Sequence, residues 1–193
     1  MKDFSQKDLR VVKSHKALVT AMFSLLEKNS FTKITVNDLC THALVSRSTF
    51  YTYFEDKYDL LRFCLNILIQ KLFQHTKGLP TKKLLRHILV KIQENVSLFK
   101  HLLMDELDGE VVEIIRSLFH QYFEHFLLEH QVLPTTLSCP LEIVSMYYTS
   151  AITSVIMLWI GKRMVYTVDE MTNFLSSLLP AFPDEGKTAS PQQ

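Results

Sequence analysis

The sequence predicts an all-α protein, on three observations. Apolar residues recur at intervals of three and four along most of the chain, which is the spacing of one helix face. Glycine and proline are scarce, with four and six in 193 residues, and they mark breaks between the periodic stretches. No stretch alternates apolar and polar residues as a half-buried strand does. The 47% of hydrophobic residues can supply a sizeable core.

The first third of the chain is predicted to form a unit of three helices, residues 8–56. A long helix with one apolar stripe comes first. Thr35 and Asp38 have the spacing of a capping box, which opens the second helix, and Ser46 caps the third. The predicted helices cover residues 8–28, 36–43 and 47–53.

The following residues, 57–182, are predicted to form a second helical domain. Their apolar residues keep the helical spacing, with a kink expected near residues 95–97. Thr167 and Glu170 repeat the capping-box spacing before the last helix. The polar tail, residues 183–193, is expected to be disordered. The predicted helices cover residues 57–75, 81–103, 110–130, 141–162 and 168–180.

A run of residues near the N-terminus resembles a known family signature. Residues 34–36 read ITV, residues 43–57 read ALVSRSTFYTYFEDK, and Leu60 and Leu61 follow. As a run they resemble the N-terminal signature of TetR-type transcriptional regulators. The resemblance implies a helix-turn-helix, binding to double-stranded operator DNA as a homodimer, and most often repression. It covers roughly residues 8–62 and extends upstream to Leu18, Met22, Leu25, Leu26 and Phe31.

The resemblance also has one departure and assigns eight DNA-contact positions. Leu44 stands where the family often has glycine, so the turn is expected to use the right-handed α region. Hydroxyls suit phosphate contacts, and arginine can bond guanine through two N–H groups. The alternative is structural: a serine that only caps, tyrosines that only pack, a lysine that is only solvated. Phosphate contacts are expected from Thr35, Ser46, Ser48, Tyr51, Tyr53 and Lys57, and base contacts from Arg47 and Thr49.

The last two predicted helices are unusually apolar. A broad apolar surface with an aromatic anchor is typical of association between chains. Residues 158–171 are similar to the C-terminal region of one TetR branch, and in that family this pair of helices forms a four-helix bundle across a two-fold axis. The alternative is that the residues fill the core of one chain. The predicted dimer interface is Ile152, Val155, Ile156, Trp159, Met171, Phe174, Leu175 and Leu178.

The middle helices carry aromatic residues and methionine that suit an apolar ligand with a few polar groups. Residues 57–182 are therefore interpreted as a domain for ligand binding and dimerisation. The effector is an unknown small molecule or a partner protein, and the alternative for each residue is ordinary core. The candidate ligand residues are Phe99, Met104, Phe119, Tyr122, Phe123 and Tyr147.

Charge does not by itself indicate nucleic acid. The net charge is +1, and residues 1–60 carry nine Lys/Arg against seven Asp/Glu. Affinity for DNA would have to come from local placement and from two copies binding together. The weak charge leaves open a second hypothesis, a TetR-like co-regulator that acts mainly through another protein.

A third hypothesis, a small helical enzyme or sensor at a membrane, has weaker support. Residues 143–161 are uncharged and approach the length of a membrane span, but serines, threonines and tyrosines interrupt them. No catalytic motif appears, so we expect neither an enzyme nor a cofactor. Histidines five apart, at 120, 125 and 130, turn away from one another on a helix, so no metal is expected. Three cysteines without paired spacing favour a reducing, cytoplasmic location.

Overall fold

The computed structural model describes residues 4–73, 80–103, 108–129 and 139–179, which are helical and contain no strand. The all-α prediction is confirmed. A short 3-10 helix, Phe31–Lys33, lies between the first two α-helices. The α-helices are α1 (Phe4–Leu26), α2 (Val36–Ala43), α3 (Arg47–Tyr53), α4 (Lys57–Phe73), α5 (Thr81–Glu94), α6 (Val96–Leu103), α7 (Gly109–Glu129), α8 (Leu141–Gly161) and α9 (Val168–Leu178).

Most helix bounds agree with the sequence prediction, and those of α2 and α3 match it residue for residue. Helix α1 begins at Phe4, four residues before the predicted start. The kink predicted near residues 95–97 is a full break, because α5 ends at Glu94 and α6 begins at Val96. The predicted tail, residues 183–193, lies outside the described residues.

The chain divides into two compact units. The first contains residues up to Leu68 together with Ser97–Ile115, and the second contains Ile69–Val96 and the residues from Arg116 onward. The boundary predicted after residue 56 coincides with the start of α4, whereas the first unit extends along α4 to Leu68.

The first unit is a helical head with a continuous apolar core. Helix α1 packs on α2, and α2 packs on α3. The ring of His15 on α1 meets the rings of Tyr53, Phe54 and Phe63, with centroids 4.8, 5.3 and 5.3 Å away. The largest fully buried side chains of this core are Leu18, Met22, Leu26, Phe31, Leu39, Phe50, Leu60, Leu61 and Leu102.

The second unit is built on the packing of α5 against α9. Arg86 on α5 bonds Asp169 on α9, with Nε and Oδ1 2.9 Å apart. Trp159 is buried and donates from Nε1 to the carbonyl of Tyr166 at 2.7 Å, which fixes the connector between α8 and α9. The capping box of Thr167 then starts α9 as predicted.

Helix α8 is long and apolar enough to cross a bilayer on length and composition alone. Only 28% of its apolar stretch is buried inside the chain. The core helix of a soluble protein passes the same test of length and composition, so one such helix is weak evidence for a membrane span. What the helix does show is a large apolar surface that the second unit leaves uncovered.

Candidate nucleic-acid interface

The interface begins at the N-terminus of α2, where Thr35 and Asp38 form the predicted capping box. The Asp38 N–H donates to Thr35 Oγ1 at 3.2 Å, and the Thr35 N–H donates to Asp38 Oδ2 at 2.9 Å. The Thr35 hydroxyl and the Thr35 N–H both donate to the Asp38 carboxylate. These two bonds, of which the hydroxyl bond has the larger effect, hold the pKa of Asp38 below its ordinary value. Thr35 is exposed, so the box fixes a hydroxyl at the surface.

The turn between α2 and α3 depends on Leu44, whose backbone is left-handed with φ 55° and ψ 40°. The Leu44 N–H donates to Thr41 O at 3.3 Å, and the Val45 N–H donates to Cys40 O at 3.0 Å. This pair of bonds is the Schellman arrangement that closes many helices. The expected right-handed turn at Leu44 is therefore wrong, because this cap needs a left-handed residue at that position.

Helix α3 opens with a cluster of three hydroxyls. Ser46 is its N-cap and accepts from the Thr49 N–H at 3.1 Å. The Ser46 hydroxyl also bonds those of Ser48 at 2.9 Å and Thr49 at 2.8 Å. Ser46 and Ser48 are exposed, and Thr49 is half-buried. The cluster therefore offers short polar groups at the start of the helix.

The two faces of α3 differ in chemistry. Phe50 points inward and is fully buried. Arg47 and Tyr51 are exposed one turn apart, and the Arg47 guanidinium carbon lies 6.0 Å from the centroid of the Tyr51 ring. A guanidinium over an aromatic ring is attracted by the ring quadrupole, which favours one orientation of Arg47. Tyr53, at the end of the helix, is half-buried and packs on His15.

Lys57, the last predicted contact, is not a simple solvated charge. Its Nζ donates to the carbonyls of Phe31 at 3.1 Å, Thr32 at 3.2 Å and Ile34 at 3.1 Å. The same nitrogen lies 4.6 Å from the centroid of the Phe31 ring. Burial lowers the pKa of Lys57, against the opposing effect of nearby carboxylates, first that of Asp108. The ammonium therefore ties α4 to the loop that precedes α2.

Among the bonds of this unit that sequence reasoning missed is the one from Tyr58 to Asp108. The Tyr58 hydroxyl donates to Asp108 Oδ2 at 2.7 Å, and this bond is the first cause of a rise in the pKa of Tyr58 to about 12. Asp108 Oδ1 accepts from the Glu110 N–H at 3.0 Å, at the start of α7. Tyr58 and Asp108 are fifty residues apart in the sequence, so no local sequence pattern indicates the bond.

The second unit contains a cavity of about 70 Å³ between α5, α7, α8 and α9. Its wall is almost wholly apolar. Thr149 is a buried polar residue in that wall, and within the described residues its hydroxyl has no hydrogen-bond partner. Of the predicted ligand residues, Phe119 and Phe123 line the cavity, Tyr122 is half-buried, Tyr147 is exposed, Phe99 is buried in the first unit, and Met104 lies outside the described residues.

The predicted dimer residues divide between core and surface. Phe174 is 46% exposed and Leu178 is 70% exposed. Ile152 and Val155 are half-buried, while Ile156, Trp159, Met171 and Leu175 are buried within the same chain. Large apolar residues that the prediction did not include are exposed on α8: Ile143, Met146, Tyr147 and Leu158.

Two short helices joined by a tight turn, apolar inside and lined outside with hydroxyls, arginine and tyrosine, are the form of a helix-turn-helix DNA-binding unit. The family profile described as "Bacterial regulatory proteins, tetR family" matches residues 18–63. A TetR profile described as "Transcriptional regulator C-terminal region" matches residues 81–181, more than half of the chain. The chain belongs to the TetR family of bacterial transcriptional regulators.

Solved structures give the same fold. A TetR transcriptional regulator from Streptococcus agalactiae 2603V is 27% identical with a TM-score of 0.69, and the match covers 91% of this chain and 98% of that one. The dihydroxyacetone kinase operon activator DhaS is 17% identical with a TM-score of 0.61, over 86% of this chain and 93% of that one. No curated protein sequence matches the chain.

Proposed function

We propose that the protein is a cytoplasmic regulator that binds operator DNA as a homodimer, most simply as a repressor, and is switched through its second unit. The observation that carries this proposal is the outer face of α3, where exposed Ser46, Arg47, Ser48 and Tyr51 follow a tight turn. In helix-turn-helix proteins, the N-terminal residues of the second helix contact base edges in the major groove.

Selection from a random duplex library with the purified protein tests DNA binding. We expect one enriched, two-fold symmetric sequence, with half-sites about 34 Å apart or a multiple of that distance, whose affinity falls as salt rises. Arg47→Ala is expected to relax base preference, whereas Lys100→Ala, an exposed cation on α6, leaves it unchanged. If no sequence is enriched and binding is equal on all duplexes, the operator proposal fails, and a search for a protein partner follows.

The homodimer is inferred from the uncovered apolar surface of α8 and α9. Ile143, Tyr147 and Leu158 are exposed along α8 at spacings that return to one helix face, with the small residues Ala151 and Ser154 between them. A second copy would bury this surface, and it would supply the second α3 that a symmetric operator requires.

The effector is inferred to be a small molecule that binds at the cavity of the second unit and widens it, because about 70 Å³ is less than a benzene-sized ligand occupies. The Thr149 hydroxyl gives that cavity one unpaired polar group in an apolar wall. A screen for compounds that release the operator tests this role, with Thr149→Val as the variant that keeps the volume and removes the hydroxyl. A compound that releases Thr149→Val from the operator at the same concentration as it releases the wild type does not use the cavity hydroxyl. That outcome would place the effector site elsewhere.

A further inference from the structure

Leu44 combines a left-handed backbone, which the cap of α2 requires, with an exposed apolar side chain, which the cap does not use. Its backbone is left-handed, with φ 55°, and its side chain is 93% exposed. Among the large apolar residues of the described ranges that are exposed, it is the most exposed. A left-handed backbone is disfavoured for any residue that carries a Cβ, and an exposed isobutyl group gains nothing from burial.

Glycine would satisfy the same turn. The cap consists of backbone bonds, from the Leu44 N–H to Thr41 O and from the Val45 N–H to Cys40 O, so no side-chain atom of Leu44 takes part. Glycine is the residue most often found at this position of a Schellman motif. The turn therefore uses the left-handed backbone at position 44 but not the leucine side chain, which makes that side chain a candidate for function.

The position of Leu44 suggests what its side chain contacts. It lies two residues before Ser46, the N-cap of α3, in the turn that leads to the hydroxyls and the Arg47 guanidinium at the start of that helix. All of these neighbours suit phosphates and polar base edges, and the leucine suits neither. The 5-methyl group of thymine is the one apolar feature that a base pair presents in the major groove.

We propose that Leu44 is a further specificity residue, which contacts a thymine methyl group at the edge of the half-site that α3 reads. The inference rests on the proposed binding of operator DNA. It adds an apolar contact to a set of otherwise polar predicted contacts, at a position where glycine would leave a gap against the base.

The test is a cycle of two changes measured on the selected operator. Leu44→Gly removes the side chain, and deoxyuridine in place of each thymine in turn removes one methyl group. We expect Leu44→Gly to weaken binding several-fold, and one deoxyuridine position to weaken wild-type binding about fourfold, the value of one buried methylene-sized group. At that position the deoxyuridine is expected to have no effect on Leu44→Gly.

Met164→Gly is the matched control, because Met164 also has a left-handed backbone, with φ 53°, but lies in the connector between α8 and α9. It is expected to bind the operator as the wild type does. Leu44→Gly is also expected to keep or raise the melting temperature, whereas a purely structural role predicts a fall.

The outcomes separate the two proposals. If the wild type binds no duplex selectively, the proposed function fails. If the wild type binds its operator and Leu44→Gly binds equally well, the inference alone fails. A third outcome is that Leu44→Gly weakens binding, but each deoxyuridine substitution lowers the affinity of the wild type and of Leu44→Gly by the same factor. Leu44 then contacts the sugar-phosphate backbone, and the thymine contact is overturned.

Discussion

The ammonium group of Lys57 has two possible partners, a DNA phosphate and the backbone carbonyls of the loop before α2. The family resemblance assigns it to a DNA phosphate, and in the structure its Nζ donates to the carbonyls of Phe31, Thr32 and Ile34. Phe31 and Thr32 belong to the 3-10 helix, and Ile34 follows it and directly precedes Thr35, the cap of α2. Lys57 therefore holds the loop that positions a predicted phosphate contact, and any phosphate it also meets must share the same ammonium.

We predict that Lys57→Met destabilises the protein by roughly 2 kcal/mol, because it removes charge-assisted hydrogen bonds to three part-buried carbonyls. Methionine keeps most of the side-chain volume. Urea unfolding followed by circular dichroism measures the change. Lys33→Met, an exposed lysine at the end of the same 3-10 helix, is the control and is expected to be nearly neutral. Equal stability of the two variants would contradict the role of Lys57 in holding the loop.

The bond from Tyr58 to Asp108 makes stability depend on pH in both directions. Burial alone would raise the pKa of Asp108, but the hydrogen bonds from Tyr58, Glu110 and Val111 hold it below its ordinary value. That contribution is present above the unfolded pKa and is lost as the pH falls through the folded one. Tyr58 behaves in the opposite sense: with a raised pKa, its contribution is present below the unfolded value and is lost as the pH rises.

We predict that Tyr58→Phe lowers stability at neutral pH and that the deficit disappears in alkali. The unfolded phenol ionises near pH 10, and the folded pKa of Tyr58 is about 12, so the wild-type advantage is constant up to about pH 10 and fades towards pH 12. The phenylalanine ring keeps the edge contact with Phe31, at 5.2 Å between centroids. Unfolding of both proteins from pH 7 to 12 measures the difference. A difference that stays constant over this range would show that the hydroxyl bond is not its source.

At the scale of elements, the sequence predicts what is encoded locally. The bounds of α2 and α3 follow from Thr35, Asp38 and Ser46, each of which acts within four residues. The 3-10 helix was not predicted, because its carbonyls are held by Lys57, 23 to 26 residues away. The left-handed turn at Leu44 was missed for a related reason: the leucine itself disfavours that conformation, and only the completed cap imposes it.

Two N-caps of the same type allow the structural and DNA roles of Ser46 to be separated. Ser46 caps α3, and Thr167 caps α9. We predict that Ser46→Ala and Thr167→Ala each cost about 1 kcal/mol of stability. Only Ser46→Ala is expected to weaken operator binding as well, by several-fold. Melting curves and fluorescence anisotropy with labelled operator measure the two effects. If the variants weaken DNA binding equally, Ser46 acts only as a cap.

At the scale of the whole molecule, the sequence could not divide core from interface in α8 and α9. Both kinds of residue are apolar and recur at helical spacing, so Trp159 and Leu178 look alike in sequence. The structure separates them, with Trp159 buried at 2% exposure and Leu178 at 70%. The same limit applies to the candidate ligand residues, since an aromatic side chain that lines a cavity and one that fills a core have the same pattern.

Phe174→Glu is expected to break the homodimer and with it operator binding, although it lies on α9 in the second unit. Phe174 is 46% exposed, so a carboxylate there is solvated in a single chain and becomes costly only when a second copy buries it. In a dimer, binding of one first unit to its half-site raises the effective concentration of the other first unit at the second half-site. Loss of the dimer is therefore expected to weaken operator binding about 100-fold or more.

Sedimentation and operator titration, on the same samples, measure the effect of Phe174→Glu. Val12→Glu is the matched control: Val12 is 61% exposed on α1 of the first unit, and this variant is expected to remain dimeric. A dimeric Phe174→Glu would place the interface elsewhere. A monomeric variant that binds its operator at full affinity would mean that one head suffices, which the weak net charge of residues 1–60 argues against.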